Sequence, residues 1–156
     1  MSLHFLETLR GSWFLVDAPD DVRVCEMAIT VAMHRPRVLT SRIEGTLGGT
    51  VTLVGLATQV AVNGTFEFRA RRPRRVSYEF TFTADDGRVL QFKGAKQASL
   101  LRPVFSATTL FGSVTDGDKA IAMARLHFDL RRDLVAFLQS LARKHDRAES
   151  ADGEGP

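Results

Sequence analysis

From Val76 to Thr83 apolar and polar side chains alternate, with Val76, Tyr78, Phe80 and Phe82 on one parity and Ser77, Glu79, Thr81 and Thr83 on the other. Successive side chains of a strand point to opposite faces, so this is the pattern of a half-buried strand. Asp85-Asp86-Gly87 follows, a turn composition in which Gly readily takes positive φ, and alternation resumes at Leu90, Phe92 and Gly94. The two runs predict a hairpin. The same reasoning predicts strands near 3–15, 22–33, 41–55, 59–70, 75–84, 88–98, 104–115 and 119–130, with turns at Pro19-Asp20-Asp21 and Asp116-Gly117-Asp118. Asn63-Gly64 reads either as a turn or as a bend inside a strand.

Strands joined by short connections, with no helices between them, argue against a parallel sheet, which needs long crossovers. The expected fold is mainly all-β: an antiparallel up-and-down barrel of about eight strands, lipocalin- or calycin-like, in preference to a sandwich. After Arg132 the period changes. Leu134, Phe137, Leu138 and Leu141 recur at three and four residues, Asp133 suits a helix start, and Arg143 and Lys144 suit its end. This predicts one C-terminal amphipathic helix, packed on the barrel wall or across one mouth. Residues 1–145 thus read as the barrel with its helix, and residues 146–156, small, charged and Gly-containing, as a disordered tail.

Length and composition fit that picture: 156 residues with 44% hydrophobic content are the material of one domain. No apolar run approaches the roughly 20 residues that cross a bilayer as a helix. Met1-Ser2-Leu3-His4 lacks the order of a secretory signal, so a cytoplasmic protein is expected. Cys25 is the single cysteine, and His4, His34, His127 and His145 have no zinc-site spacing; no built-in metal is expected. Gly45, Gly48 and Gly49 lack the Lys-Ser/Thr ending of a phosphate loop and the strand-to-helix setting of a dinucleotide site, and no Gly-x-Ser-x-Gly elbow occurs. No cofactor is expected.

The formal charge is +3, with positive residues gathered at Arg69-Ala70-Arg71-Arg72-Pro73-Arg74-Arg75 and around Arg131, Arg132, Arg143 and Lys144. Such clusters can attract an acidic partner, although a short basic turn is ordinarily solvated surface. Without a recognition helix or an exposed aromatic platform, nucleic acid is not the expected partner. A homodimer stays open.

Candidate chemistry is sparse. His127 and Asp129 share a strand face with Arg125 and Arg131, which reads as a solvated charge row before it reads as a catalytic dyad. The informative feature is phenylalanine, eleven against one Tyr and one Trp. On inward parity, Phe66, Phe68, Tyr78, Phe80, Phe82 and Phe92 either fill a small barrel or wall a cavity for one apolar ligand. Two charges break the apolar parity. Glu7 falls with Leu3, Phe5 and Leu9, and Lys96 with Leu90, Phe92 and Gly94. Both are expected to face the interior near a mouth, bonded to water, to each other, or to Thr108 or Thr109. They are the candidate catalytic groups, with Glu7 as a general acid or base whose pKa burial raises.

At Phe5-Leu6-Glu7-Thr8-Leu9-Arg10-Gly11, across Tyr78 to Phe82, and at Gly94-Ala95-Lys96 and Thr108-Thr109-Leu110, the chain resembles a small bacterial β domain. That domain occurs fused to or alongside glucose-methanol-choline (GMC) oxidoreductases of the cholesterol-oxidase kind. The resemblance implies an accessory, lipophile-handling role beside a redox enzyme of apolar substrates; nothing in this chain resembles a flavin-binding segment. Three functions compete: a binding module for a sterol, terpenoid or acyl ligand, a cofactor-free isomerase or cyclase using Glu7, and a docking domain with a filled core.

Overall fold

The computed structural model describes residues 2–34, 42–69, 75–97 and 108–128. The strands are β1 (Ser2–Leu15), β2 (Ala18–His34), β3 (Arg42–Leu53), β4 (Ala57–Ala61), β5 (Asn63–Arg69), β6 (Arg75–Thr83), β7 (Val89–Gln97), β8 (Thr108–Asp116) and β9 (Lys119–Phe128). All pairings are antiparallel, and β2 pairs β3 at one end of the order while β1 pairs β9 at the other. The sheet therefore closes as an eight-stranded barrel, β1-β2-β3-β5-β6-β7-β8-β9, with β4 continuing β5 along β3. Closure leaves none of these eight strands as a full-length free edge.

Alternation supplies the core. Val76, Tyr78, Phe80 and Phe82 are buried while Glu79, Thr81 and Thr83 are exposed, and Leu90, Phe92 and Gly94 line the same interior. Phe80 and Phe92 are cross-strand partners and stack at 4.8 Å between centroids, 20° apart in plane; Phe66 meets Tyr78 edge-on at 5.3 Å and 74°. Glycines make room for these rings. Gly94 pairs with Gly112, and the Phe92 ring lies over both, where an added Cβ would overlap it. Gly49, at φ +114°, packs on the Ala28 backbone, where an added Cβ would meet the Ala28 carbonyl.

The expected Asp85-Asp86-Gly87 and Asp116-Gly117-Asp118 turns form, and Asn63-Gly64 opens β5 after a break at Val62, the bend rather than the turn. Pro19-Asp20-Asp21 is a correction: the turn falls at Val16-Asp17, and the three residues lie inside β2. The pairing of β2 with β3 begins only at Cys25, so residues 18–23 pair with β1 on one side, at Ala18 and Arg23, and have no strand partner on the other. A missing N–H and two charges suit such an unpaired edge, which is why turn-like residues occupy a strand. No helix occurs among the described residues; the expected C-terminal helix and tail lie outside them.

Candidate functional site

Glu7 is the only buried charged residue among those whose side chains are described, 1% exposed on the inward parity of β1. Its backbone pairs with Ile29, and Leu9 stands beside it toward the barrel centre. Tyr78 projects inward from β6, between its register partners Phe66 and Gly94. Four steps separate β1 from β6 whichever way the closed sheet is followed, so the two residues stand on opposite walls. The Tyr78 hydroxyl donates to Glu7 Oε2 at 2.8 Å, a buried bond between residues 71 apart in sequence. This bond spans the lumen, where Leu9, Ile29, Val31, Phe66 and Phe80 are buried on the inward parity of their strands.

Burial raises the Tyr78 phenol well above its ordinary 10.0, and the negative charge and hydrogen bond of Glu7 act in the same direction. The phenol stays a donor, the role a carboxylate acceptor requires. The pair can bind a hydroxyl or carbonyl presented from an apolar body, or exchange a proton with it.

Other candidates divide clearly. Phe66, Phe68, Phe80, Phe82 and Phe92 are inward and buried with Tyr78, as the aromatic wall required. Thr109 points to the outer wall, its hydroxyl 3.2 Å from His127 Nδ1, because Leu110 and Leu126 take the inward positions on those strands. It therefore does not join the lumen site. The backbone of Lys96 pairs with Val76 and that of Thr108 with Phe128; their side chains, like Asp129, lie outside the described residues. His127 and Arg125 are exposed, the solvated row expected of them.

Sequence reasoning missed Tyr78 as the partner of Glu7, and the signal was present: it is the chain's only Tyr, one hydroxyl on a parity otherwise filled by Phe and Val. Trp13 was missed too. It is 2% exposed, inward from β1 nearer the turn end, and its Nε1 has no hydrogen-bond partner among the described residues. Outside the lumen, two shallow hollows of about 490 Å³ each lie on the outer wall and share Glu67 and Glu79. No group of residues suited to a metal ion occurs among the described residues. No family model, no curated protein and no solved structure matches this chain.

Proposed function

We propose that the barrel is a lipocalin-like binding module for an apolar small molecule of sterol, terpenoid or acyl type, whose single polar group is received by Glu7 and Tyr78. The observation that carries this reading is the Glu7–Tyr78 bond across a lumen whose other buried side chains, among the described residues, are hydrophobic. Burying a carboxylate costs several kcal/mol, and an apolar side chain would fill the space without that penalty. Polar groups kept in an apolar enclosure are the usual means of orienting a ligand. The resemblance to domains that accompany cholesterol-oxidase-like enzymes supports the same class of ligand and an accessory role beside such an enzyme.

A second reading, the filled-core docking domain, is favoured by the tightness of the lumen: Phe66, Phe68, Tyr78, Phe80 and Phe92 are each no more than 1% exposed. A ligand must therefore displace side chains to enter. Native mass spectrometry of the purified protein, followed by titration with cholesterol and with palmitate read by Trp13 fluorescence, separates the two. Bound lipophile with saturable titration is expected, and Glu7→Gln and Tyr78→Phe should each weaken binding of the ligand about tenfold, the equivalent of roughly 1.4 kcal/mol. Absence of any lipophile and of any titration leaves the filled core. Turnover of a bound ligand that Glu7→Gln abolishes would instead establish the isomerase or cyclase.

A further inference from the structure

The two ends of the barrel are built differently. The strands end or begin at His34, Arg42, Arg69, Arg75, Gln97, Thr108 and Phe128 at one end, and the short turns at Val16-Asp17, Val54 to Leu56, Asp85 to Arg88 and Gly117-Asp118 lie at the other. Those turns are tied into one rim. Val16 N donates to Ile121 O at 2.9 Å, Val54 N to Val24 O at 3.1 Å, and Asp85 N to Leu56 O at 2.9 Å. Arg88 Nη1 lies 3.6 Å from Asp116 Oδ2, joining the last two turns.

This closed end carries exposed aliphatic side chains among carboxylates. Val16, Val22, Val24, Val54 and Val89 are each between 46% and 67% exposed. Asp17, Asp20, Asp21, Asp85, Asp86, Asp116 and Asp118 surround them, against Arg23, Arg88 and Lys119. Arg23 is committed to Asp21 at 2.8 Å and Arg88 to Asp86 at 2.8 Å, while Asp17, Asp20 and Asp118 make no ion pair among the described residues. Such a surface repels anionic lipid and fits a cationic partner that can also cover valines.

The same chain supplies that chemistry at its other end. Arg42, Arg69 and Arg75 stand in register across β3, β5 and β6, all exposed. Glu44 and Glu67 answer Arg42 at 2.8 and 2.7 Å, and Arg69 lies 3.9 Å from Glu67. Arg75 makes no ion pair among the described residues, so this edge keeps one uncommitted guanidinium beside Arg42 and Arg69. Arginine stems cover apolar surface while their guanidinium groups reach carboxylates.

We infer that the closed end is a docking surface for the arginine-bearing end of a second copy of this chain. The contact is head-to-tail: each copy uses one end and leaves the other kind free, so association continues beyond two copies. Sedimentation velocity should show the weight-average mass rising more than about twofold with concentration at about 10 mM salt and returning to the monomer at about 1 M, where the Debye length is only about 3 Å. Asp17→Lys with Asp20→Lys blocks one end; Arg69→Ala with Arg75→Ala removes the charge of the other, so that the two altered ends do not attract each other. All four side chains are exposed, and circular dichroism checks that each variant is folded. Each blocked variant should sediment as a monomer, and their mixture as a discrete dimer and nothing larger, since one compatible pair of ends remains. A wild-type chain that stays monomeric at low salt overturns the inference, as do blocked variants that associate like wild type or a mixture that yields no dimer.

Discussion

Two walls enclose the lumen with different materials. The wall of β5 to β7 is made of rings, with Phe66, Phe68, Tyr78, Phe80, Phe82 and Phe92 buried, whereas β1 and β2 supply Leu9, Met27, Ile29, Val31 and Met33, with Trp13 as their one ring, nearer the turn end. Each wall lays a long side chain over a glycine. Phe92 covers Gly94 and Gly112, and Met33 lies against Gly45 on the neighbouring strand, where an added Cβ would come within 2.8 Å of Met33 Cγ. A ring wedged over two backbones has no alternative place to go, while a thioether with three rotatable bonds does. The aromatic wall fixes the barrel and the aliphatic wall can give. The Glu7–Tyr78 bond joins them.

The largest expected effect lies on the rigid wall. Phe92→Ala removes the stack on Phe80 and uncovers the glycine pair, and should cost about 3–5 kcal/mol in urea unfolding. Gly112→Ala should also destabilise, because its methyl overlaps the ring, and should cost less in a Phe92→Leu background. Additive costs would mean that ring and glycine are not coupled, and the contrast between the walls would lose its basis.

Alkaline titration tests one group on each wall. Cys25, on β2, is pushed up from 9.0 to about 12, by burial first and by the charge of Glu26 second, and Tyr78 is raised above 10.0. Both raised values mean that the folded chain keeps protons the unfolded chain releases. Their stabilisation is intact below pH 9 and is lost as pH rises, from 9 upward for Cys25 and from 10 upward for Tyr78. Each group contributes a slope of about 1.4 kcal/mol per pH unit within its window. Melting temperature followed against pH should therefore fall from pH 9, and Cys25→Ala should move the onset to about 10. An onset that does not move would place the thiol outside the apolar interior.

The walls were legible in sequence because parity is a local property. Val76 to Phe82 and Leu90 to Gly94 announce which face is buried, and Glu7 announces itself as an exception. What parity does not carry is distance around the barrel. Glu7 meets Tyr78 only because closure sets β1 opposite β6, and no local pattern holds that information. The choice between Thr108 and Thr109 stays open in the sequence for a related reason: adjacent threonines have opposite parity, and only the inward placing of Leu110 puts Thr109 on the outer wall. Pro19-Asp20-Asp21 failed differently, because an unpaired edge and a turn select the same residues.

The smallest expected effect sharpens the contrast most. Met33 is fully buried, yet Met33→Leu conserves volume on the yielding wall and should cost less than about 1.5 kcal/mol. Its effect should appear in binding. If a ligand enters by displacing the aliphatic wall, a branched leucine, with fewer rotatable bonds than methionine, hinders that displacement. Affinity for palmitate, read through Trp13, should then fall a few-fold while thermal stability hardly changes. Phe80→Leu gives the opposite profile, a large loss of stability, since it removes the ring on which Phe92 stacks. Equal losses of stability from the two substitutions would show that both walls are equally rigid and that no side of the lumen is set aside to open.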